Sequence, residues 1–182
     1  MRVVAGTAKG RPLVAPPGTD TRPTSDRVRE AVFNALGSLD AIVGARVLDL
    51  FAGSGALGIE ALSRGAVAAT FVDTSQKAID AVRANLESTG LAGPGVQGGG
   101  PRIEVIRADA HRYDDGPFEL ALLDPPYATT DEEWAWLLDH LDAQVVVLES
   151  DREIDLGDAW EVLRSKRYGN TMVQIARRPS RR

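Results

Sequence analysis

The chain has 182 residues, a length typical of one domain, and 43% of them are hydrophobic, enough to bury a core. It contains no cysteine, which excludes disulfides, thiolate metal sites and a cysteine nucleophile, and no apolar run is long enough to cross a membrane. The first residues also lack the apolar stretch of a secretion signal, so we expect a cytoplasmic protein.

The net charge of −5 is unevenly distributed along the chain. Residues 1–30 and 161–182 carry net charges of +3 and +6, whereas residues 31–160 carry −14. Basic ends on an acidic body indicate a localised anion-binding surface.

The first 24 residues are predicted to form a basic arm rather than a helix. Val3 and Val4 suit a short strand, and the glycines and prolines that follow break regular structure. Basic side chains recur through the segment, as expected of a surface that contacts phosphates. We therefore divide the chain into residues 1–24, a hairpin-like arm, and residues 25–182, the main domain.

A helix is predicted over residues 24–36. Thr24 or Ser25 suits its N-cap, and apolar residues recur at the spacing of one helix face. Arg27 and Arg29 are predicted to lie off this apolar stripe, facing solvent.

Residues 47–58 are predicted to form the end of a buried strand, a glycine turn and the start of a helix. Gly53 and Gly55 allow a tight turn that a ligand can approach, and Gly58 allows the helix to pack closely on the strand. Such a glycine pattern alone is a weak signal of nucleotide binding. Asp49 lies on the strand four residues before the first glycine, and this spacing resembles motif I of S-adenosylmethionine (SAM) dependent methyltransferases.

Strands and helices alternate through the rest of the chain, which predicts a parallel sheet with helices on both faces. A terminal hairpin would add an antiparallel edge and bring the sheet to seven strands. The glycine-rich connection over residues 88–101 is assigned no function. The predicted strands span residues 68–72, 103–107, 118–123, 145–148, 160–166 and 171–176, and the predicted helices span residues 75–86 and 131–141.

Four aspartates are predicted to converge on one edge of the sheet: Asp49 on the first strand, and Asp73, Asp109 and Asp124 at or beyond the next three. Ligands of such sheets bind beyond the carboxyl ends of the strands, where the strand order reverses. Carboxylates also bind Mg²⁺ or Ca²⁺, but these four would be spread along a crevice rather than around one point. A long ligand with ribose hydroxyls, an adenine amine and an ammonium suits them better, and SAM is such a ligand.

Residues 124–127 read Asp-Pro-Pro-Tyr and directly follow the strand predicted over residues 118–123. Pro125 and Pro126 stiffen the backbone and remove two N–H donors, which leaves carbonyls and the Asp124 carboxylate as acceptors. Such a loop can hold both hydrogens of an exocyclic –NH₂ group. Tyr127 adds an aromatic face on which a base can stack.

Taken together, these segments resemble the RsmD family, bacterial methyltransferases that modify N2 of one guanine in 16S ribosomal RNA. The resemblance covers nearly the whole chain, and its family-specific part is the Arg-Pro-Thr-x-Asp-Arg-Val-Arg-Glu segment of residues 22–30. The glycine loop and Asp-Pro-Pro-Tyr occur across amino-methyltransferases and indicate the reaction type. Only the 88–101 connection is longer than expected, which leaves the start of the third strand open. The segments that carry the resemblance are residues 2–6, 9–11, 22–34, 47–55 and 124–127.

The resemblance implies a Rossmann-like class I SAM-dependent methyltransferase fold. Its features are a mostly parallel seven-stranded sheet, helices on both faces, a C-terminal antiparallel hairpin and a small N-terminal extension. The implied activity is methyl transfer from SAM to N2 of guanine 966, leaving S-adenosylhomocysteine, without a metal. The implied partner is 16S rRNA, within an assembling or assembled small subunit, and we expect a monomer.

The resemblance also implies roles for residues at the donor site. Asp73 would hold the ribose hydroxyls, Asp109 the adenine amine, and Asp49 would orient the loop or the ammonium. Gly53 and Gly55 would let the methionine part pass close to the backbone. The implied donor-binding residues are Asp49, Phe51, Ala52, Gly53, Ser54, Gly55, Asp73, Asp109 and Ala110.

At the acceptor site, the implied catalytic residues are Asp124, Pro125, Pro126 and Tyr127. Asp124 and the carbonyl of Pro125 would bind guanine N2, and Tyr127 would stack on the flipped base. Lys166 and Arg167, near the hairpin turn, would extend the RNA surface of the arm. The predicted RNA-binding residues are Arg2, Lys9, Arg11, Arg22, Arg27 and Arg29.

Two other functions fit the sequence. Asp-Pro-Pro-Tyr also serves DNA adenine-N6 and cytosine-N4 methyltransferases, although the chain has no obvious target-recognition domain. A non-catalytic RNA-binding module with the same fold is the other alternative. The sequence leaves open whether free RNA or an assembled subunit is the substrate, and which group takes the proton.

Overall fold

The structure is a computed structural model that describes residues 1–18, 25–92 and 100–179. Within these residues, seven strands form one sheet; one helix precedes the first strand, and three further helices and a short 3₁₀ turn (Ala110–Arg112) lie between the strands. The strands are β1 (Arg46–Leu50), β2 (Ala68–Asp73), β3 (Arg102–Arg107), β4 (Phe118–Leu123), β5 (Ala143–Ser150), β6 (Glu161–Tyr168) and β7 (Thr171–Arg177). The helices are α1 (Asp26–Ser38), α2 (Ala56–Ser63), α3 (Gln76–Thr89) and α4 (Asp131–His140).

The strand order across the sheet is β3-β2-β1-β4-β5-β7-β6. The first five strands are parallel, and β7 runs antiparallel between β5 and β6. The predicted seven-stranded, mostly parallel sheet with a C-terminal antiparallel hairpin is therefore confirmed. Because the order reverses between β1 and β4, the carboxyl ends of these two strands border the crevice in which such sheets bind ligands.

Each central strand is buried on both faces, which explains its continuous apolar sequence. Successive residues of β1 alternate between two hydrophobic clusters: Val47 lies in one, and Leu48 in the other. The arm and helices α1, α2 and α3 cover the Val47 face, whereas α4 and the segment before β6 cover the Leu48 face, with Trp134 and Trp160 in its core.

The described part of the N-terminal arm is a hairpin packed against the main domain. The N–H of Val3 donates to the carbonyl of Arg11 at 2.9 Å, and the N–H of Gly10 donates to the carbonyl of Val3 at 2.9 Å. Val3, Ala8 and Leu13 are buried in the cluster that α1, α2 and α3 share. The arm therefore has no core of its own and completes that of the main domain.

Element boundaries differ from the predicted ones where pairing with a distant strand decides them. Strand β5 extends two residues beyond the predicted 145–148 at each end, because β4 pairs with it from Ala143 and β7 pairs with it as far as Ser150. Helix α1 begins at Asp26, with the Ser25 side chain accepting from the N–H of Val28, whereas Thr24 lies outside the described residues. Residues 93–99 of the glycine-rich connection also lie outside them. Among the helices described, none has the length and apolar character needed to cross a bilayer.

Candidate functional site

The glycine loop between β1 and α2 forms the centre of the candidate site. Phe51, Gly53 and Gly55 have positive φ angles of 60°, 54° and 75°. The N–H of Ala52 donates to the carbonyl of Val72 on β2, and that of Gly55 donates to the carbonyl of Ala52 at 2.6 Å. The loop therefore turns sharply across the carboxyl edge of the sheet, and Gly53 and Gly55 adopt these positive φ angles without the strain that a side chain would bring.

Asp49 lies beneath this loop and has almost no contact with solvent. Its side chain is 1% exposed, and its Oδ2 accepts from the N–H of Gly58 at 2.8 Å. Burial, with a smaller contribution from the neighbouring Asp73, raises the pKa of Asp49 to about 8, against the opposing effect of the Gly58 N–H. The carboxyl is therefore mainly neutral at pH 7, and it orients the start of α2.

Asp73 joins the end of β2 to the glycine loop. Its Oδ2 accepts from the N–H of Gly53 at 2.9 Å, and its Oδ1 accepts from the N–H of Ser75 at 2.8 Å. Each carboxylate oxygen has further acceptor capacity, and the side chain is only partly buried. The carboxylate is thus held in place while it can still accept hydrogen bonds from a ligand.

Asp109 lies on the same edge after β3 and caps the 3₁₀ turn. Its Oδ1 accepts from the N–H of His111 at 3.0 Å, and this bond, together with the His111 ring and Arg112, lowers the pKa of the carboxyl. The side chain is 48% exposed, whereas Ala110 next to it is buried. The ring of His111 lies 6.3 Å from that of Phe51, so an aromatic wall adjoins Asp109. This contact of His111 was not predicted from the sequence.

The Asp-Pro-Pro-Tyr loop begins directly after β4, beside the glycine loop. The carbonyl of Pro126 accepts from the N–H of Thr129 at 2.9 Å and from its hydroxyl at 2.7 Å, which closes a tight turn. Tyr127 is 40% exposed, and its hydroxyl lies 3.0 Å from that of Thr171 on β7. The ring of Tyr127 is therefore accessible but tethered at its far end.

Arg152 supports this loop from the end of β5, a role that the sequence did not indicate. Its Nη2 donates to the carbonyl of Thr129 at 2.9 Å and to Oδ1 of Asp131 at 2.6 Å. Its Nη1 donates to Asp151 at 3.2 Å. The turn after Asp-Pro-Pro-Tyr is therefore fixed to the sheet as well as to α4.

Asp49 lies on β1 and Asp73 at the end of β2, whereas Asp109 and Asp124 follow the ends of β3 and β4. Across residues 1–18, 25–92 and 100–179, no three His, Asp or Glu side chains are placed so that they could hold a metal ion together.

Glu60 anchors the arm to α2 from a fully buried position. Its carboxylate accepts from the N–H groups of Val4 and Ala5 at 2.7 and 3.0 Å, and from Nε of Arg64 at 2.7 Å. Arg29 lies against the same carboxylate, with its Nε 3.6 Å away. This role could not be predicted from the sequence, because a glutamate in a helix usually faces water.

The prediction that Arg29 lies off the buried stripe of α1 is wrong. Its side chain is fully buried and donates to the carbonyl of Arg2 and to Asp26, in addition to its ion pair with Glu60. Arg29 therefore joins the arm to α1 and α2, and its guanidinium is inaccessible to RNA phosphates. The mistake arose because a charged residue at this spacing usually faces water, whereas here a buried carboxylate compensates its charge.

The other predicted RNA-binding residues remain on the surface wherever the structure describes them. Arg2, Lys9, Arg11 and Arg27 are exposed, and Arg22 lies outside the described residues. Lys166 and Arg167 are also exposed, and Arg167 donates to the carbonyl of Asp151 at 3.1 Å. The arm thus offers cations to an anionic partner while its backbone and Arg29 attach it to the domain.

Comparison with known proteins shows relatives along almost the entire chain. A family model described as conserved hypothetical protein 95 matches residues 1–177. The putative rRNA methyltransferase YlbH of Bacillus subtilis (strain 168) is 40% identical over 96% of this chain and 97% of its own. The ribosomal RNA small subunit methyltransferase D of Escherichia coli (strain K12) is 32% identical over 98% of this chain and 90% of its own. The solved structure of the putative methyltransferase yhhF from Escherichia coli covers 100% of this chain and 99% of its own, with 31% identity and a TM-score of 0.80.

Proposed function

Because the chain belongs to the RsmD family, described as conserved hypothetical protein 95, we propose that it methylates N2 of guanine 966 in 16S ribosomal RNA with SAM as the donor. Its fold is that of the class I SAM-dependent methyltransferases. The observation that carries the proposal is the pairing of β1 with β4, which places the glycine loop and the Asp-Pro-Pro-Tyr loop beside each other at the crevice.

The residues of the first half of the crevice fit SAM. Asp73 is positioned by two backbone N–H groups and retains acceptor capacity for the ribose hydroxyls. Asp109 is an exposed carboxylate for the adenine amine, and Ala110 and Phe51 adjoin it. The loop from Ala52 through Gly55 offers close approach to the methionine part. SAM brings a methyl group already activated on its sulfonium, so the protein contributes mainly position and electrostatics.

For Asp49, we propose the role of orienting the loop rather than binding the ammonium. Its carboxyl is already bonded to the N–H of Gly58 and is 1% exposed. Because its pKa is about 8, it also carries little negative charge at pH 7 with which to attract a cation. Asp49 therefore acts on the donor through the position of α2.

The second half of the crevice supports recognition of an exocyclic amine. The Asp124 carboxylate and the Pro125 carbonyl would each accept one N–H of guanine N2, which aims the nitrogen lone pair at the methyl group. The Pro126 carbonyl is already used twice by Thr129, so it serves the turn rather than the base. The tethered ring of Tyr127 would stack on the flipped guanine.

The proposed RNA surface consists of the exposed cations of the arm and of α1. Arg2, Lys9, Arg11 and Arg27 would contact phosphates, which fix orientation rather than sequence. The carbonyl and amide groups that hold the arm to α2 are separate from these side chains, so RNA contact need not disturb its docking. We propose 16S rRNA in the small subunit as the partner.

Transfer of a labelled methyl group from SAM tests the proposal directly. Three substrates would be compared at equal concentration: small subunits from cells that lack the modification, free 16S rRNA, and duplex DNA. We expect N2-methylguanine at a single position of 16S rRNA, identified by nuclease digestion and mass spectrometry. N6-methyladenine or N4-methylcytosine in the DNA would instead indicate a DNA methyltransferase. RNA binding without transfer to any substrate would indicate a non-catalytic module.

A further inference from the structure

One buried amide side chain contacts both the arm and the glycine loop. Asn85, on α3, is 1% exposed. Its Oδ1 accepts from the N–H of Val14 at 2.9 Å, and its Nδ2 donates to the carbonyls of Val14 and Ser54 at 2.9 and 2.8 Å. Three of the four hydrogen-bonding positions of this side chain are therefore used by backbone groups of two other segments.

On the loop side, Asn85 completes a set of bonds that fixes the turn. Gly53 donates to Asp73 and Gly55 donates to the carbonyl of Ala52, while the carbonyl of Ser54 between them is held by Asn85. The peptide that follows Ser54 therefore cannot rotate without breaking this partly buried hydrogen bond to Asn85. A polar group withdrawn from water loses stability when its partner is removed, so this orientation of the Ser54 carbonyl is favoured.

On the arm side, Asn85 holds the backbone where apolar packing does not. The side chain of Val14 is 59% exposed, whereas Leu13 before it is buried. Both polar backbone groups of Val14 bond to Asn85, in the way that a neighbouring strand would hold them. Loss of the amide would therefore release the arm at Val14, at the point where it leaves the hydrophobic cluster.

We infer that Asn85 is a positioning residue that couples methyl-donor binding at the glycine loop to ordering of the arm. The inference rests on the proposed function, because it takes the glycine loop as the donor site and the arm as an RNA surface. A ligand lying against the loop restricts Ser54, which restricts the amide of Asn85 and hence Val14. Because such coupling is reciprocal, binding of RNA that orders the arm must in turn raise the affinity for the methyl donor.

Hydrogen exchange measured by mass spectrometry, with and without S-adenosylhomocysteine, tests this coupling. In the wild-type protein we expect the ligand to slow exchange of the Val14 amide about fivefold or more. In Asn85→Ala, exchange at Val14 should be fast in both states, with a ligand effect of less than about twofold. A purely structural role would instead speed exchange while leaving the ratio between the two states unchanged.

Thr89→Val is the matched control, because Thr89 is also buried and lies one turn further along α3. Its hydroxyl donates only within the helix as described, to the carbonyls of Asn85 and Leu86 at 2.8 and 3.0 Å. We expect it to lower the melting temperature but to keep the ligand-dependent slowing at Val14. A second measurement, the dissociation constant for an rRNA fragment with and without the ligand, should show the same contrast between the two variants.

Failure of the inference can be told apart from failure of the proposed function. Calorimetry on the wild-type protein establishes first whether S-adenosylhomocysteine binds, and absence of binding would overturn the proposed function. Binding without slower exchange at Val14 would overturn the coupling from the wild-type protein alone, even if Asn85→Ala did not fold. Ligand-dependent slowing that persists in Asn85→Ala would overturn it as well.

Discussion

The buried carboxyl of Asp49 accepts a hydrogen bond of 2.8 Å from the backbone N–H of Gly58, nine residues later in the chain. This contact fixes the start of α2 relative to β1 and so sets the shape of the turn between them. It places an ionisable group where water cannot reach it, which links the stability of the fold to pH.

The first prediction concerns the pH dependence of Asp49→Asn. Burial raises the pKa of Asp49 from an ordinary 3.8 to about 8, so the folded protein keeps a proton that the unfolded chain loses. Between about pH 4 and 8, the free energy of unfolding of the wild type should therefore fall as the pH rises. Relative to Asp49→Asn, which has no proton to lose at this position, the fall should be at most about 1.4 kcal/mol per pH unit. Urea unfolding of both proteins at pH 5, 6, 7 and 8 measures the difference. Parallel pH profiles would contradict a neutral Asp49.

The second prediction compares two helical glycines. A Cβ at Gly58 would lie 2.4 Å from Cε1 of Phe71 and 3.0 Å from Oδ2 of Asp49, whereas one at Gly37 would have open space around it. We expect Gly58→Ala to destabilise the fold by about 2 kcal/mol or more, because the ring and the helix must separate. Gly37→Ala should instead stabilise it by about 0.5–1 kcal/mol. Denaturant unfolding of the two variants tests this, and equal effects would show that the close approach at Gly58 is not required.

The third prediction separates the acceptor loop from donor binding. Asp124→Ala removes the proposed acceptor for one N–H of guanine N2, so kcat for methyl transfer should fall at least about a hundredfold. Binding of S-adenosylhomocysteine, measured by calorimetry, should change less than about threefold, because the donor residues lie on β1, β2 and the turn after β3. Asp158→Ala, an exposed acid before β6, serves as the control and should leave both quantities unchanged. Activity of Asp124→Ala within a few-fold of the wild type would exclude this residue from catalysis.

The fourth prediction uses two arginines of the same helix that differ in burial. Arg27 is exposed, so Arg27→Ala should weaken binding to an rRNA fragment and reduce the slope of log affinity against log salt by about 1, with little effect on stability. Arg29 is buried against Glu60, so Arg29→Ala should destabilise the fold by about 2 kcal/mol or more.

Salt titrations of RNA binding and urea unfolding on both variants provide the measurements. If Arg29→Ala kept wild-type stability but bound RNA weakly, the guanidinium of Arg29 would have to reach RNA. A salt slope for the wild-type protein close to zero would argue against any phosphate surface on the arm.

The sheet could be predicted from sequence because its central strands are buried on both faces. The short apolar runs of β1, β2 and β4 predict buried strands, and the glycines and prolines between them mark the turns. The four aspartates could be placed on one edge for the same reason, since parallel strands bring their carboxyl ends together. The full length of β5 could not be predicted because it depends on its partner strands, β4 at its start and β7, much later in the chain, at its end.

Polar residues with distant backbone partners could not be assigned from sequence. Glu60 and Asn85 are residue types that usually face water, and their partners lie 55 to 71 residues earlier, in the arm. The prediction that Arg29 contacts RNA is wrong because a basic segment shows where positive charge is concentrated. It does not show which of its side chains are buried. Local patterns show which residues are charged, whereas the docking of the arm decides which of those charges are internal.

The contact between the hydroxyls of Tyr127 and Thr171 joins two positions 44 residues apart, and Thr171 is the first residue of β7 after the hairpin turn. A change in the length of that turn would therefore shift the aromatic ring without altering any residue of the acceptor loop. Among relatives, tolerance for a larger or smaller base could thus evolve in a surface hairpin, while the chemistry beside it stays the same.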